Sequence, residues 1–101
     1  MMTTTKCPGK IDEGKPRWDA IPWDAVSHVV AVRTEGLEKY RDPDNWKSVP
    51  GWRGRYFAAA LRHMMAWHLG QRLDDESGLP HLAHAVINLL FMISLDEGGE
   101  Q

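Results

Sequence analysis

Asp74-Asp75-Glu76-Ser77-Gly78-Leu79-Pro80-His81-Leu82-Ala83-His84-Ala85-Val86-Ile87-Asn88-Leu89-Leu90-Phe91 sets an acidic turn in front of a nearly all-apolar helix carrying one polar stripe. His81, His84 and Asn88 stand at i, i+3 and i+7, so an α-helix puts them on one face. Two imidazoles and a carboxamide cost free energy to bury among Leu, Ile, Val and Phe unless each polar atom has a partner, and the upstream acids are a source of partners. The stripe therefore reads either as a polar core network or as a site. Pro80 suits a first helical turn, and the helix is expected to reach about Leu95. Leu82, Val86, Leu89, Leu90 and Ile93 form one apolar face, while Ala85, Ile87, Phe91 and Met92 extend apolarity round most of the circumference. A helix apolar on most sides is central, and in so short a chain its far side is expected to pack on another subunit.

Upstream, a second helix is expected from Gly51 or Trp52 to Leu69, with Gly70 as its stop. Phe57, Ala60, Leu61, Met64 and Trp67 fit its buried face, and Tyr56, Ala59, His63 and Trp67 an adjoining one. Arg53, Arg55 and Arg62 make it locally basic, which suits either phosphate binding or plain solvation. The first helix is expected from Pro22 or Trp23 to about Tyr40, with Val26, Val29, Val30, Leu37 and Tyr40 near the 3.6-residue repeat. Arg33 interrupts that stripe, where a buried cation would need a carboxylate. Asp42-Pro43-Asp44-Asn45-Trp46-Lys47-Ser48-Val49-Pro50-Gly51-Trp52 is turn chemistry, and its tryptophans suit either capping the core or covering a planar ligand ring. The architecture read from these patterns is all-α: an extended N-terminal arm over residues 1–21, a domain of three main helices over 22–96, and a disordered tail over 97–101. Oligomerisation, as a homodimer or homotetramer, is expected to complete it.

With 101 residues and a net charge of −2, the chain has room for one domain and lacks the basic surface that nonspecific nucleic-acid binding requires. Cys7 is the single cysteine, which excludes an intrachain disulfide and a cysteine-based zinc site and fits a reducing cytoplasm. Neither a signal core nor a membrane span is read: Asn88 and Ser94 interrupt the longest apolar segment, from Ala85 to Leu95. Residues Lys10 to Trp18 place cations beside Gly14 and an aromatic, a composition open to phosphate but without Walker A spacing.

Acids fall into two clusters, Glu35 with Glu38 and Asp74 with Asp75 and Glu76, while His63, His81 and His84 lie on the second and third helices. Antiparallel packing would bring such groups together. Carboxylates suit magnesium or manganese, and added imidazoles favour manganese or a softer metal; the histidines serve equally as general bases or donors to phosphate. No Gly-x-Ser-x-Gly elbow is present, and Ser77 is expected to cap the third helix or bond within its turn.

Taken in order, Lys10-x-Asp12-x-Gly14-Lys15-Pro16-Arg17, Gly36-x-x-Lys39-Tyr40 with Asn45-Trp46, Arg62-His63, and Asp74-x-Glu76-Ser77-Gly78-x-Pro80-His81-x-x-His84-x-x-x-Asn88 resemble the dATP/dGTP diphosphohydrolase N-terminal family of phages and bacteria. The resemblance covers roughly residues 10–95. It implies an all-α domain related to MazG-like enzymes, which cleave a nucleoside triphosphate to monophosphate and pyrophosphate with a divalent metal. The chain departs from the MazG pattern of Glu-x-x-Glu and Glu-x-x-Asp on two core helices. Ala85 and Asn88 stand in the place of the second acid pair, and only Glu35-x-x-Glu38 keeps the first spacing.

Together these readings point to a metal-dependent pyrophosphohydrolase acting on purine deoxynucleotides in the cytoplasm, the host's if phage-encoded. Glu38, Asp74 and Glu76 are expected to hold magnesium or manganese, and His63, His81 and His84 to position water or phosphate. Lys15, Lys39, Arg55 and Arg62 are expected at the phosphates, Trp46 on the base, and Asn45 and Asn88 among the substrate contacts. No nucleic-acid or membrane partner is expected. The rival reading is a noncatalytic helical oligomerisation or nucleotide-sensing module, in which His81, His84 and Asn88 fix the register of the assembly.

Overall fold

The computed structural model describes residues 13–98, so Cys7, Lys10, Asp12 and residues 99–101 lie outside the described part. Three α-helices carry the fold: α1 (Trp23–Lys39), α2 (Trp52–His68) and α3 (His81–Glu97). Among the described residues there is no strand, only one isolated antiparallel bridge between Leu73 and Pro80. No described helix is long and apolar enough to cross a membrane.

Pro22 and Pro80 act as the residues just before α1 and α3, one place earlier than a first-turn position. Gly70 ends α2 in the left-handed region at φ 107°, where a side chain would be strained, and the N–H of Gln71 returns to the Ala66 carbonyl at 3.0 Å. Two short 3-10 turns flank the helices, at Trp18–Ala20 and Asn45–Ser48. The first falls within the segment expected to be extended. There Trp23 Nε1 donates to the Trp18 carbonyl at 2.7 Å, and the two indoles stack 6.4 Å apart. At the other end α3 continues to Glu97, past the expected stop near Leu95.

The helix α3 is central, packing more extensively on α2 than on α1. Its two neighbours meet different faces. Val29 and Val32 of α1 enclose Ala83, with Leu79 and Ile87 against them. On the other side α2 runs antiparallel to α3: His63 meets His81 near one end, Tyr56 meets Phe91 midway, and Arg53 pairs with Asp96 at the other end. Ala60 and Ala85, each only 2% exposed, are the most deeply buried residues of the two helices. Small side chains let helix axes approach closely, and dispersion contacts gain from that approach.

This packing turns most of the expected buried face of α2 outward. Of Phe57, Ala60, Leu61, Met64 and Trp67, only Ala60 is buried; the other four are 43–54% exposed. Leu82, Val86, Leu89, Leu90 and Ile93 of α3 are likewise exposed. Tyr56, Ala59 and His63 turn inward instead, and along α1 Val30, Leu37 and Tyr40 face out. The physical reason is that α3 is apolar on most sides, so hydrophobicity does not rank its faces; close alanine packing and the polar stripe do.

Candidate functional site

The polar stripe of α3 and its preceding turn converge on His63 of α2. The turn is closed by backbone bonds: Asp74 N–H donates to the Leu79 carbonyl at 2.8 Å, Gly78 N–H to the Asp74 carbonyl at 2.7 Å, and His81 N–H to the Arg72 carbonyl at 2.9 Å. Gly78 takes φ 73°, which a residue with a Cβ rarely adopts. The closed turn presents Asp74 and Ser77 to the head of α3. Ser77 N–H donates to Asp74 Oδ2 at 3.0 Å, and Leu79 N–H donates to Ser77 Oγ at 3.1 Å.

His81 is buried, 5% exposed, and its Nδ1 lies 2.9 Å from His63 Nδ1. One of these nitrogens carries a proton and donates it to the other, whose lone pair accepts. The His63 ring also stacks on His84, with centroids 4.5 Å apart and planes 10° from parallel. His84 Nε2 is 2.8 Å from Ser77 Oγ and 3.8 Å from Asp74 Oδ2. Asn88 completes the stripe by donating from Nδ2 to the His84 carbonyl at 2.8 Å.

Burial lowers the His63 pKa, and the neighbouring His84 and His81 push it the same way. Burial also lowers that of His84, against the opposing pull of Asp74, Glu35 and Glu76. For Asp74 burial acts upward but is outweighed by the backbone and hydroxyl of Ser77 and by the histidines, so its carboxyl stays below the usual range. Two imidazoles held in the neutral form beside a carboxylate have lone pairs that can accept protons. The Ser77–His84–Asp74 arrangement is no nucleophilic triad, because Asp74 approaches the same imidazole nitrogen as the serine rather than the far one.

A cleft of about 510 Å³ opens one helical turn away, between the α1–α2 connection and the α2–α3 pair. Asn45, Trp46, Arg55, Arg62 and Asn88 all line it. Lys15 and Lys39 are exposed and do not. Ala59 and Asn88 border the cleft and stand four residues from His63 and His84, about 6 Å along each axis, so the histidine cluster adjoins one end of the space. Its aromatic wall is Trp46 stacked on Phe91 at 4.6 Å, with Tyr56 5.5 Å from Phe91 and donating its hydroxyl to the Trp46 carbonyl at 2.8 Å. One face of Trp46 is thus taken by Phe91.

Arg33 shares this wall. Its Nη2 donates to the Pro43 carbonyl at 2.6 Å, and its guanidinium stands 5.5 Å above Phe91. A carbonyl and a ring face accompany it where a carboxylate was expected. Of the acids expected to hold metal, Asp74 lies at the cluster, whereas Glu38 and Glu76 are exposed. The group of potential ligands among the described residues is His63, Asp74 and His81, whose ligand atoms lie within 4.8 Å of one another. Sequence reasoning missed Arg33, Tyr56 and Phe91 as cleft residues and preferred Glu38 to Glu35. The missed signal is spacing: Glu35 follows the buried Val32 by one turn and shares its side of α1 facing α3, and its charge is felt at His84.

No curated protein and no solved structure matches the chain. A family model described as dATP/dGTP diphosphohydrolase, N-terminal, matches residues 6–101. With that match spanning nearly its whole length, the chain belongs to the dATP/dGTP diphosphohydrolase N-terminal family.

Proposed function

We propose that this domain hydrolyses a purine deoxynucleoside triphosphate to its monophosphate and pyrophosphate. The observation that carries the reading is the cleft walled by Arg33, Arg55, Arg62, Asn45 and aromatic rings, whose lining residues Ala59 and Asn88 stand one helical turn from His63 and His84. In this reading the base lies toward Trp46 and the phosphates toward Arg62 and the histidines. Arginines suit that end because their planar donors match phosphate oxygens in pairs. A water oxygen bonds to the α-phosphorus while one of its protons passes to an imidazole nitrogen. The bond to the bridging oxygen breaks and pyrophosphate departs.

Such a reaction calls for a divalent cation to neutralise the phosphates, magnesium or manganese by the sequence reading. Asp74 is the carboxylate that stands where the cation would be used, and its low pKa keeps it charged. Glu38 and Glu76 are exposed, and the charge of Glu76 acts on His84.

A second reading, a noncatalytic nucleotide-sensing or oligomerisation module, is favoured by the MazG acid positions. Ala85 is buried in the α2–α3 pair, and Asn88 is bonded to its own helix. The outward apolar faces support a homo-oligomer under either reading; Phe57, Leu89 and Ile93 line a groove of about 660 Å³ between α2 and α3. Purified protein incubated with each dNTP and with magnesium, manganese or cobalt tests the reaction. Monophosphate and pyrophosphate in equal amounts support it, with Arg62→Ala raising KM about tenfold or more for a lost charged phosphate contact. Nucleotide binding without product under any metal overturns it in favour of the second reading.

A further inference from the structure

At the head of α3 two imidazoles meet the Asp74 carboxylate, a donor set that favours manganese and softer ions over the magnesium alternative. We infer that His63 and His81, each through Nδ1, together with one carboxylate oxygen of Asp74, bind a single six-coordinate transition-metal ion of the manganese, cobalt or nickel type, without any nucleotide present. One ligand atom from each of the three residues lies within 4.8 Å of the others, although they come from α2, the connecting turn and α3, so a shift of about 0.6 Å would bring them within the roughly 4.2 Å that opposite ligands of one ion span. A metal ion there would tie all three elements together.

The two Nδ1 atoms, in hydrogen-bond contact, are also spaced as neighbouring octahedral ligands are. Nitrogens 2.9 Å apart and each about 2.05 Å from an ion subtend about 90° there, the angle between neighbouring ligands of an octahedron. A tetrahedral ion would spread the same nitrogens to about 3.3 Å. Imidazole nitrogen favours borderline metals over magnesium, which prefers an all-oxygen shell.

A second observation concerns His81. Its Nε2 is buried and has no hydrogen-bond partner among the described residues, so the ring is held on its polar side only through Nδ1. Nothing there dictates which nitrogen carries the proton. An ion taking both Nδ1 lone pairs replaces the proton shared between them and puts the remaining proton of each ring on Nε2; at His81 that N–H is buried without a partner, a cost the metal bonds must outweigh.

Charge favours the same occupant. Asp74, Glu35 and Glu76 all act on His84, which stacks on His63, while Arg62 is the cation acting on His63. The carboxylates of Asp74, Glu35 and Glu76 in this neighbourhood favour a cation there.

The inference needs no enzymatic activity for its test, so it stands or falls separately from the hydrolase reading. Chelator-treated full-length protein is titrated calorimetrically with Mn(II), Co(II), Ni(II) and Mg(II), without nucleotide. One transition ion per chain is expected, with affinity rising from manganese to nickel and with magnesium far weaker. His63→Asn and Asp74→Asn should weaken binding about tenfold or more, whereas His68→Asn, at an exposed site, should leave it unchanged. Should the first two variants misfold, electron spin-echo measurements on the Mn(II)-loaded wild type should still show nitrogen coupled to the metal. Absence of stoichiometric binding, equal loss in His68→Asn, or a bound ion without nitrogen coupling would overturn the site.

Discussion

Replacing Asp74 by Asn probes the turn that builds the site. Asp74 Oδ2 accepts Ser77 N–H at 3.0 Å and stands 3.8 Å from His84 Nε2, with only 20% of its side chain exposed. An amide oxygen can still accept from Ser77 N–H, so the change exchanges a charge-assisted bond for a neutral one, a loss of about 1 kcal/mol. Ala leaves that N–H without a partner and should cost about 2–3 kcal/mol. For a domain of this size, 1 kcal/mol corresponds to about 4–8 °C in Tm. The assay is urea and thermal unfolding at fixed protein concentration, with chelator present to separate the turn from any bound metal. Because the folded-state pKa of Asp74 lies below the ordinary 3.8, its stabilisation is complete above that value and is lost as pH falls through the folded pKa. The gap between wild type and Asp74→Asn should therefore be present at neutral pH and close in strong acid. Equal stability of the two proteins at neutral pH, or a gap that persists unchanged in strong acid, would refute the assignment of Oδ2 as an ionised acceptor.

The histidines make the opposite end of the titration range informative. Because the folded pKa values of His63 and His84 lie below the ordinary 6.5, the unfolded chain takes up protons first. Stability should fall as pH drops below about 6.5 and level off below the folded pKa values, with His84→Asn showing a shallower slope in chelator-treated melts. Tyr56→Phe removes the donor to the Trp46 carbonyl and should cost about 1 kcal/mol by urea unfolding, while keeping the aromatic stack. Leu89→Asp, at a position 41% exposed in the protomer, should lower the assembly state by light scattering while the circular dichroism of the helices persists; an unchanged mass would show that this face does not join subunits.

Much of the site was legible because local chemistry places it. Pro22, Gly70 and Pro80 punctuate the helices through their restricted or permissive backbone, and the steps from His81 to His84 to Asn88 follow from helical geometry. The pairing of His63 with that stripe required antiparallel packing, which the sequence reading anticipated without register. Register decided the rest. It set His63 beside His81 and His84, stacked Phe91 on Trp46, and aligned Glu35 rather than Glu38 with the α1 face that carries Val32.

Residue order alone determined the helical class, the three-helix sequence and the polar stripe, because propensity, turn chemistry and periodicity act over a few residues. The tertiary structure alone decided which faces turn inward. On α3 apolar side chains surround the axis, so several packings bury similar area; the burial of the small Ala60 and Ala85 and the need to partner two imidazoles select one. That choice turns the larger apolar side chains outward and brings the titratable ones together, a result of contacts between distant segments that no local pattern encodes.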